Sequence, residues 1–490
     1  MSHIQPRIDL ATIIASAESS TTLMRNVLSR IAADRNRAII EVNPDAQLLA
    51  TYAQTAVNPH PLAGIPIALK DNIDTGDRMQ TTAGSPALLT SRARRDAFAI
   101  TQLRQAGAIP VAKANMSEWA NFRAAHSSSG YSGRGGQCLN PHDHTRCPSG
   151  SSSGSAAAVA AGLVPLAIGS ETDGSIISPS ARCGVVGIKP TVGLISRSGV
   201  IPISTTQDTL GTHARTVADA ALLLGVLAGY DANDAATHQI PATTLATLRS
   251  PINPQTIRQV RIGVARTNFS GYHAGVDARF DTVVTMLTRQ GITIVDNVEI
   301  TTVNELRSSE NEYIVMCYEF KQAIAAYLAT REVLPGFSEA DVPRTLSDLI
   351  AFNDAHPNPG FAFDHEIFLR ANRMTTADKA AYRKAAAWCK RKSQHEGIDA
   401  TLQRHNLDCI IVPAGTPAWP IDQINGDPNM RGDSTTAAAC AAYPLITIPM
   451  GKINHLPIGM TLMGTAWSDA TLVAVAHGIE QLLLQEGITQ

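Results

Sequence analysis

Gly64-Ile65-Pro66-Ile67-Ala68-Leu69-Lys70 is a short apolar run that stops on a lysine. Asp96 to Gly107 follows with helical spacing and a terminating glycine, and Ala108-Ile109-Pro110-Val111-Ala112 is a second run of strand length. This strand–helix–strand unit sets the fold class, because the pattern repeats outward from it. A small-residue helix over 154–162, a strand over 164–168, a helix over 216–228, a strand over 260–264, a helix over 276–290 and a strand over 292–296 continue the alternation. Such alternation predicts an α/β fold with a central mixed, mostly parallel β-sheet flanked by helices.

Residues 1–60 precede this texture, and 8–58 read as helical, rich in Ala, Leu and Arg at three- and four-residue spacing. From 301 to 399 the pattern turns helical and polar, with a proline-rich joint at Pro357-Asn358-Pro359-Gly360. Strands return at Cys409–Val412 and Leu445–Ile448, and a last helix is expected over 469–486. The chain is therefore expected to form a single domain over 1–490. Its parts are N-terminal helices (1–60), an α/β core (61–300 and 400–490) and a helical insertion (301–399) placed to overhang a site.

Composition narrows the function. In 490 residues, 44% are hydrophobic and 17% charged, with a net charge of −2 and both signs interspersed. That excludes a basic nucleic-acid groove or membrane face, and no apolar run reaches the roughly 20 residues of a spanning helix. Seven cysteines spread over the chain make an odd number and no disulfide framework, so a reducing, cytoplasmic setting fits. Export is the alternative: Leu10 to Ala17 is apolar, ends in an A-x-A-like triplet and has Arg7 upstream. The stretch is short and its flank barely basic, so it reads instead as an amphipathic helix. A break at Glu18-Ser19-Ser20-Thr21 follows, then a second helix, Thr22 to Ala33, capped by the Ser/Thr cluster. Cys138, His142, His144 and Cys147 crowd into ten residues, but they sit among the turn signals Asn140-Pro141 and Cys147-Pro148 rather than at the spacings of structural zinc sites. No metal or cofactor is expected.

Three stretches carry chemistry. Ser149-Gly150-Ser151-Ser152-Ser153-Gly154-Ser155 opens into Ala156–Ala161, a loop running into a helix where backbone N–H groups gather and an anion finds donors. No lysine follows its last glycine, which excludes a phosphate loop of the G-x-x-x-x-G-K type. Gly169-Ser170-Glu171-Thr172-Asp173-Gly174-Ser175-Ile176 places a glycine before a serine, which allows a sharp turn that presents the side chain. Lys70 is a lone base ending an apolar strand. A serine nucleophile needs a base, and a buried lysine becomes neutral because desolvation lowers its pKa by several units. No G-x-S-x-G elbow occurs and the histidines are scattered, which disfavours a Ser-His-Asp triad.

The combination G-I-P-I-A-L-K-D-N, S-G-S-S-S-G-S-A, G-S-E-T-D-G-S-I and G-V-V-G-I-K-P-T-V-G-L resembles the amidase-signature family. The dense motifs run from about residue 60 to 225 and resume at Pro444–Gly451. Ser175 follows Ser151 by 24 residues, the spacing of the family's nucleophile and its cis-bonded serine. The resemblance implies Ser175 as the acyl-forming serine, Ser151 as the cis-peptide serine that relays protons, and Lys70 as the base. It implies an oxyanion hole from the backbone N–H groups of Thr172, Asp173, Gly174 and Ser175, and an amidase that needs no cofactor. Many members read D-T-G-G-S-I-R where this chain has Glu171-Thr172-Asp173-Gly174-Ser175-Ile176-Ile177, so a charge pair near the nucleophile is expected to be rebuilt.

With Ser117–Arg123, Ile203–Asp208 and Met463–Ser468, this variant is similar to the family's peptide amidases, which remove the terminal amide of peptides and release ammonia. Core packing is the plainer account of Trp119 and Trp467. The expected substrate is a peptide amide or a small-molecule amide, acted on by a monomer or homodimer. The alternatives are an aryl amide, anilide or carbamate hydrolase of the same family and, less favoured, a component of an amidotransferase. A catalytically silent scaffold is opposed by the intact set of Lys70, Ser151 and Ser175.

Overall fold

The computed structural model describes residues 9–16, 18–55, 60–357, 364–428 and 434–489. Its centre is one eleven-stranded sheet. In chain order the strands are β1 (Ile39–Val42), β2 (Pro66–Lys70), β3 (Ile109–Ala114), β4 (Leu166–Glu171), β5 (Val186–Lys189) and β6 (Thr209–Ala214). They continue as β7 (Arg261–Ala265), β8 (Thr293–Val298), β9 (Cys409–Pro413), β10 (Leu445–Ile453) and β11 (Leu456–Met463). Across the sheet the order is β1-β3-β2-β4-β6-β5-β10-β11-β9-β7-β8.

The sheet is mixed, as expected, with its parallel pairing gathered in two wings. Strands β3, β2 and β4 form one wing, and β9, β7 and β8 the other. These are the strands that alternate with helices, and a helical crossover is what returns the chain in the same direction. The middle is antiparallel, through β4–β6, β6–β5, β5–β10, β10–β11 and β11–β9. Strands β5, β6 and β11 lie in stretches where the sequence shows no helix alternation to flag them.

The expectation of a wholly helical 8–58 is corrected within the described residues. Helices Leu10–Ser16, Ser20–Ala32 and Ala46–Thr55 are present, but Ile39–Val42 is β1, paired antiparallel with β3 through Ile39 to Ala114 and Val42 to Ala112. Three of its four residues are β-branched, and the open edge of β3 supplies backbone partners, so tertiary pairing overrides the helical surroundings. Ser19 caps the second helix by accepting the Thr22 N–H. The first helix buries Leu10 and Ile13, and the Leu10 N–H donates to Asp219 at 3.2 Å.

Region 301–399 carries helices Val303–Ser308, Asn311–Leu328, Leu346–Ala355, Glu366–Arg373 and Lys379–Lys390. It is not purely helical: Glu332–Val333 pairs antiparallel with Ser91–Arg92. Nor does it stop at 399, since helical turns run on through Arg391–Ile398 into Asp399–His405. Of the proline-rich joint, residues 358–360 lie outside the described residues.

The helix Ser153–Ala160 shows how the sequence builds the site. Every one of its residues is buried. Its Gly and Ala side chains let it lie close to the sheet: a Cβ on Gly154 would stand 2.2 Å from the Ala38 carbonyl oxygen and 2.5 Å from the Asn115 backbone. That close approach sets the start of this helix against the start of β1 and the end of β3, and its Ser155 hydroxyl reaches the Ile168 carbonyl of β4.

Candidate active site

Three loops converge at the ends of β2 and β4. Lys70 ends β2 and is wholly buried (0% exposed). Its Nζ lies 2.8 Å from Ser151 Oγ and 2.9 Å from both the carbonyl oxygen and Oγ of Ser170. Asn72 Nδ2 donates to the same Ser170 hydroxyl at 2.9 Å. The Gly150–Ser151 peptide bond is cis, and the Ser151 carbonyl accepts the Ser117 N–H at 3.1 Å. The Ser175 loop is tied to the helix start by the Ser152 N–H, which donates to the Ser175 carbonyl at 3.1 Å. Gly174, at φ +80°, occupies the left-handed region that lets the chain turn just before Ser175. Ser175 is 7% exposed, and its hydroxyl makes no hydrogen bond among the described residues.

The structure thus brings Lys70 and Ser151 into direct contact and ties the Ser175 loop to the turn after Ser151. Among the four N–H groups expected to form an oxyanion hole, those of Thr172 and Ser175 meet no acceptor among the described residues. The Gly174 N–H instead helps to hold the Glu171 carboxylate down toward its charged form. At the Gly/Ser loop, where an anion could find donors, the N–H groups of Ser152 and Gly154 are in use, donating to the Ser175 and Asn115 carbonyls.

The departures Glu171, Asp173 and Ile177 are resolved in three ways. Glu171 Oε2 accepts the Ile176 and Ile177 N–H groups at 2.6 and 3.0 Å, so this carboxylate braces the turn after Ser175. Burial pushes its pKa up, opposed first by Lys189. Asp173 accepts from the hydroxyls of Thr435 and Thr436 at 2.5 and 2.8 Å. Ile177 is buried, where a charged side chain would require a partner. The rebuilt pair is a set of hydrogen bonds to Asp173 plus a buried Glu171 beside Lys189.

Burial lowers the Lys70 pKa to about 7, against the opposing pull of Glu171 and then Asp208. Burial also raises Asp208 to about 6, although it accepts from Thr172 Oγ1 and from the N–H groups of Ile203 and Ser204. Two cavities flank the Ser175 loop. One, of about 390 Å³, is lined by Asn72, Ser151, Ser170, Thr172 and Asp208, with Ala323 from the 301–399 region on its wall. The other, of about 200 Å³, is lined by Gly150, Asp173, Gly174, Arg182, Trp419 and Asp427.

Several residues of the site escape the sequence patterns. Ser170 and Asn72 lie inside the quoted motifs, five residues before Ser175 and two after Lys70, but only the fold shows that Ser170 meets the amine and that Asn72 meets Ser170. His213, on β6, is wholly buried under the site, with Nδ1 2.8 Å from Ser180 Oγ, and burial drives its pKa down to about 3. The Cys138–Cys147 cluster makes structural hydrogen bonds: His142 Nε2 meets the Cys183 carbonyl, His144 Nε2 meets the Asn36 side-chain oxygen, and the Cys147 thiol donates to the Ser129 carbonyl. Trp119 packs edge-on against Phe368, and Trp467 packs against the main core.

The sequence model of the Amidase family matches residues 22–473. The chain belongs to the amidase-signature family and is a hydrolase acting on amides. It is similar to native peptide amidase of Stenotrophomonas maltophilia, whose structure is 43% identical, covers 96% of each chain and superposes with a TM-score of 0.88. A Schizosaccharomyces pombe protein named as an amidase is 35% identical over 474 residues, 91% of this chain and 79% of that one. The glutamyl-tRNA(Gln) amidotransferase of Deinococcus radiodurans has one component that is 32% identical, over 98% of each chain. No helix among the described residues is long and apolar enough to cross a membrane.

Proposed function

We propose that this amidase removes the terminal carboxamide of peptides through a Ser175–Ser151–Lys70 triad and an acyl-enzyme. The observation that carries the triad is the 2.8 Å contact between a fully buried lysine amine and the hydroxyl of Ser151. Neutral Lys70 takes the Ser151 proton while Ser151 takes that of Ser175. Ser175 Oγ attacks the amide carbonyl, forming a C–O bond. The oxyanion rests on N–H groups among Thr172, Asp173, Gly174 and Ser175, of which Thr172 and Ser175 have no acceptor of their own among the described residues; such a donor contributes roughly 3 kcal/mol. Ser151 returns a proton to the leaving nitrogen as the C–N bond breaks, because an amide anion is too poor a leaving group. Water then enters, gives its proton along the same relay, and releases the carboxylate with Ser175 restored.

The choice of a peptide amide is supported by the 43% identity to peptide amidase over nearly the whole chain. A matched pair tests it: a dipeptide amide and an anilide with the same acyl group. Rapid ammonia release from the first with little aniline from the second is the expected result. The reverse would make the protein an aryl-amide hydrolase.

A further inference from the structure

The amine of Lys70 has three neighbours within hydrogen-bond reach, Ser151 Oγ and the carbonyl and hydroxyl oxygens of Ser170. A charged ammonium has three N–H bonds and can donate to all three. The neutral amine has two N–H bonds and one unshared pair. The Ser170 carbonyl carries no proton, so it takes one N–H in either state. The unshared pair then faces one of two hydroxyls, that of Ser151 or that of Ser170, and only the first orientation lets Lys70 act as a base on Ser151.

Asn72 decides between them. Its Nδ2 fills one lone pair of Ser170 Oγ, leaving the other for a Lys70 N–H. The Ser170 proton is thereby directed away from the amine, toward the cavity that Ser170 lines with Ser151 and Thr172. If the Asn72 amide were turned over, its oxygen would accept the Ser170 proton, with the same consequence for Lys70. In both arrangements Ser170 can only accept from the amine.

We propose that Ser170, held by Asn72, is a positioning residue that takes up the second N–H of neutral Lys70 and so points the amine's unshared pair at Ser151. This rests on the reading of Lys70 as the base. The charged form also depends on Ser170, since the buried ammonium loses one of its three acceptors with that hydroxyl.

The test compares Ser170→Ala, Ser170→Thr and Lys70→Ala in the full chain, with kcat, KM, the pH dependence of kcat and thermal melting measured for each. Ser170→Ala is expected to lower kcat by roughly 10- to 100-fold with KM changed less than about twofold, as for a misaligned proton transfer. Its acid limb should move to lower pH, because the charge-assisted hydrogen bond that the ammonium loses is stronger than the one the neutral amine loses, and the neutral amine can turn its freed N–H toward Ser151. Ser170→Thr keeps the hydroxyl and should restore both kcat and the limb. Wild-type kcat and an unmoved limb in Ser170→Ala, with Lys70→Ala inactive, overturn the positioning role and leave the base in place. A loss of kcat in Ser170→Ala with the limb unmoved and no rescue by threonine also overturns it, as a merely structural effect. Activity in Lys70→Ala with an unchanged acid limb overturns the base itself.

Discussion

The hydroxyl of Ser175 stands without a hydrogen bond among the described residues, on a turn braced from behind by Glu171. Removing it leaves the turn intact, so Ser175→Ala is expected to lose at least about 10³-fold in kcat with an unchanged melting temperature. Mass spectrometry of a trapped acyl-enzyme checks the assignment, which an adduct on any other residue would sink. The pH dependence belongs to Lys70. In the proposed triad its amine acts as the base only when neutral, and burial places its pKa at about 7. Below that value the rate should climb about tenfold per pH unit, levelling off above it. A lysine at its solution value near 10.4 would keep the rate climbing through pH 9, so a kcat profile flat from pH 8 upward distinguishes the two. Among single residues, the motifs point to Lys70, Ser151 and Ser175, but not to their neighbours. The chain has other wholly buried strand lysines, Lys113 and Lys189, and these bond carbonyl oxygens or a threonine instead. Only three-dimensional placement puts a serine hydroxyl against Lys70.

Among the elements, the Ser153–Ala160 helix is legible as a helix from its alanines but not as the piece that sets the site. Its role follows from what surrounds Gly154, where a Cβ would meet the backbone of Ala38 and Asn115 rather than a side chain able to swing away. Gly154→Ala should therefore cost about 1–3 kcal/mol despite its better helix propensity. Urea unfolding measures it, and a neutral or stabilising result would contradict the close approach. Strand β1 teaches the complementary lesson. Four residues between helices carry too little periodicity to be recognised, and Ile39–Val42 becomes a strand because β3 offers it an edge.

For the molecule as a unit, the question is whether region 301–399 unfolds with the core. Arg331, 1% exposed, reaches from it to the core through Ser91 Oγ at 2.7 Å and the Ser91 carbonyl at 2.8 Å. It also donates to Tyr327 OH, which in turn donates to Asp74 Oδ1 at 2.7 Å. A second apolar cluster joins Leu88, Met116 and Trp119 to Phe320, Leu349 and Phe368. So buried a junction predicts a single cooperative transition in denaturant, monitored by fluorescence and circular dichroism together. Arg331→Met should lower stability by about 3 kcal/mol, because Ser91 and the Tyr327 hydroxyl lose a buried donor and Asp74 loses the nearby positive charge. Two separated transitions in the unaltered protein would contradict the junction.

The α/β class, the family and the three side chains proposed as the triad are all legible in the order of the residues. Strand and helix alternation, a glycine before a serine and a lysine ending an apolar run are local patterns, each written within a few consecutive residues. The antiparallel middle of the sheet, the strand at Ile39–Val42, and the convergence of Asn72, Ser170 and Asp208 on the Lys70 site emerge only on folding. Those outcomes depend on which edges and which low-dielectric spaces distant segments create together. A lysine's protonation state and a short strand's conformation are properties of that surrounding, not of the residues themselves.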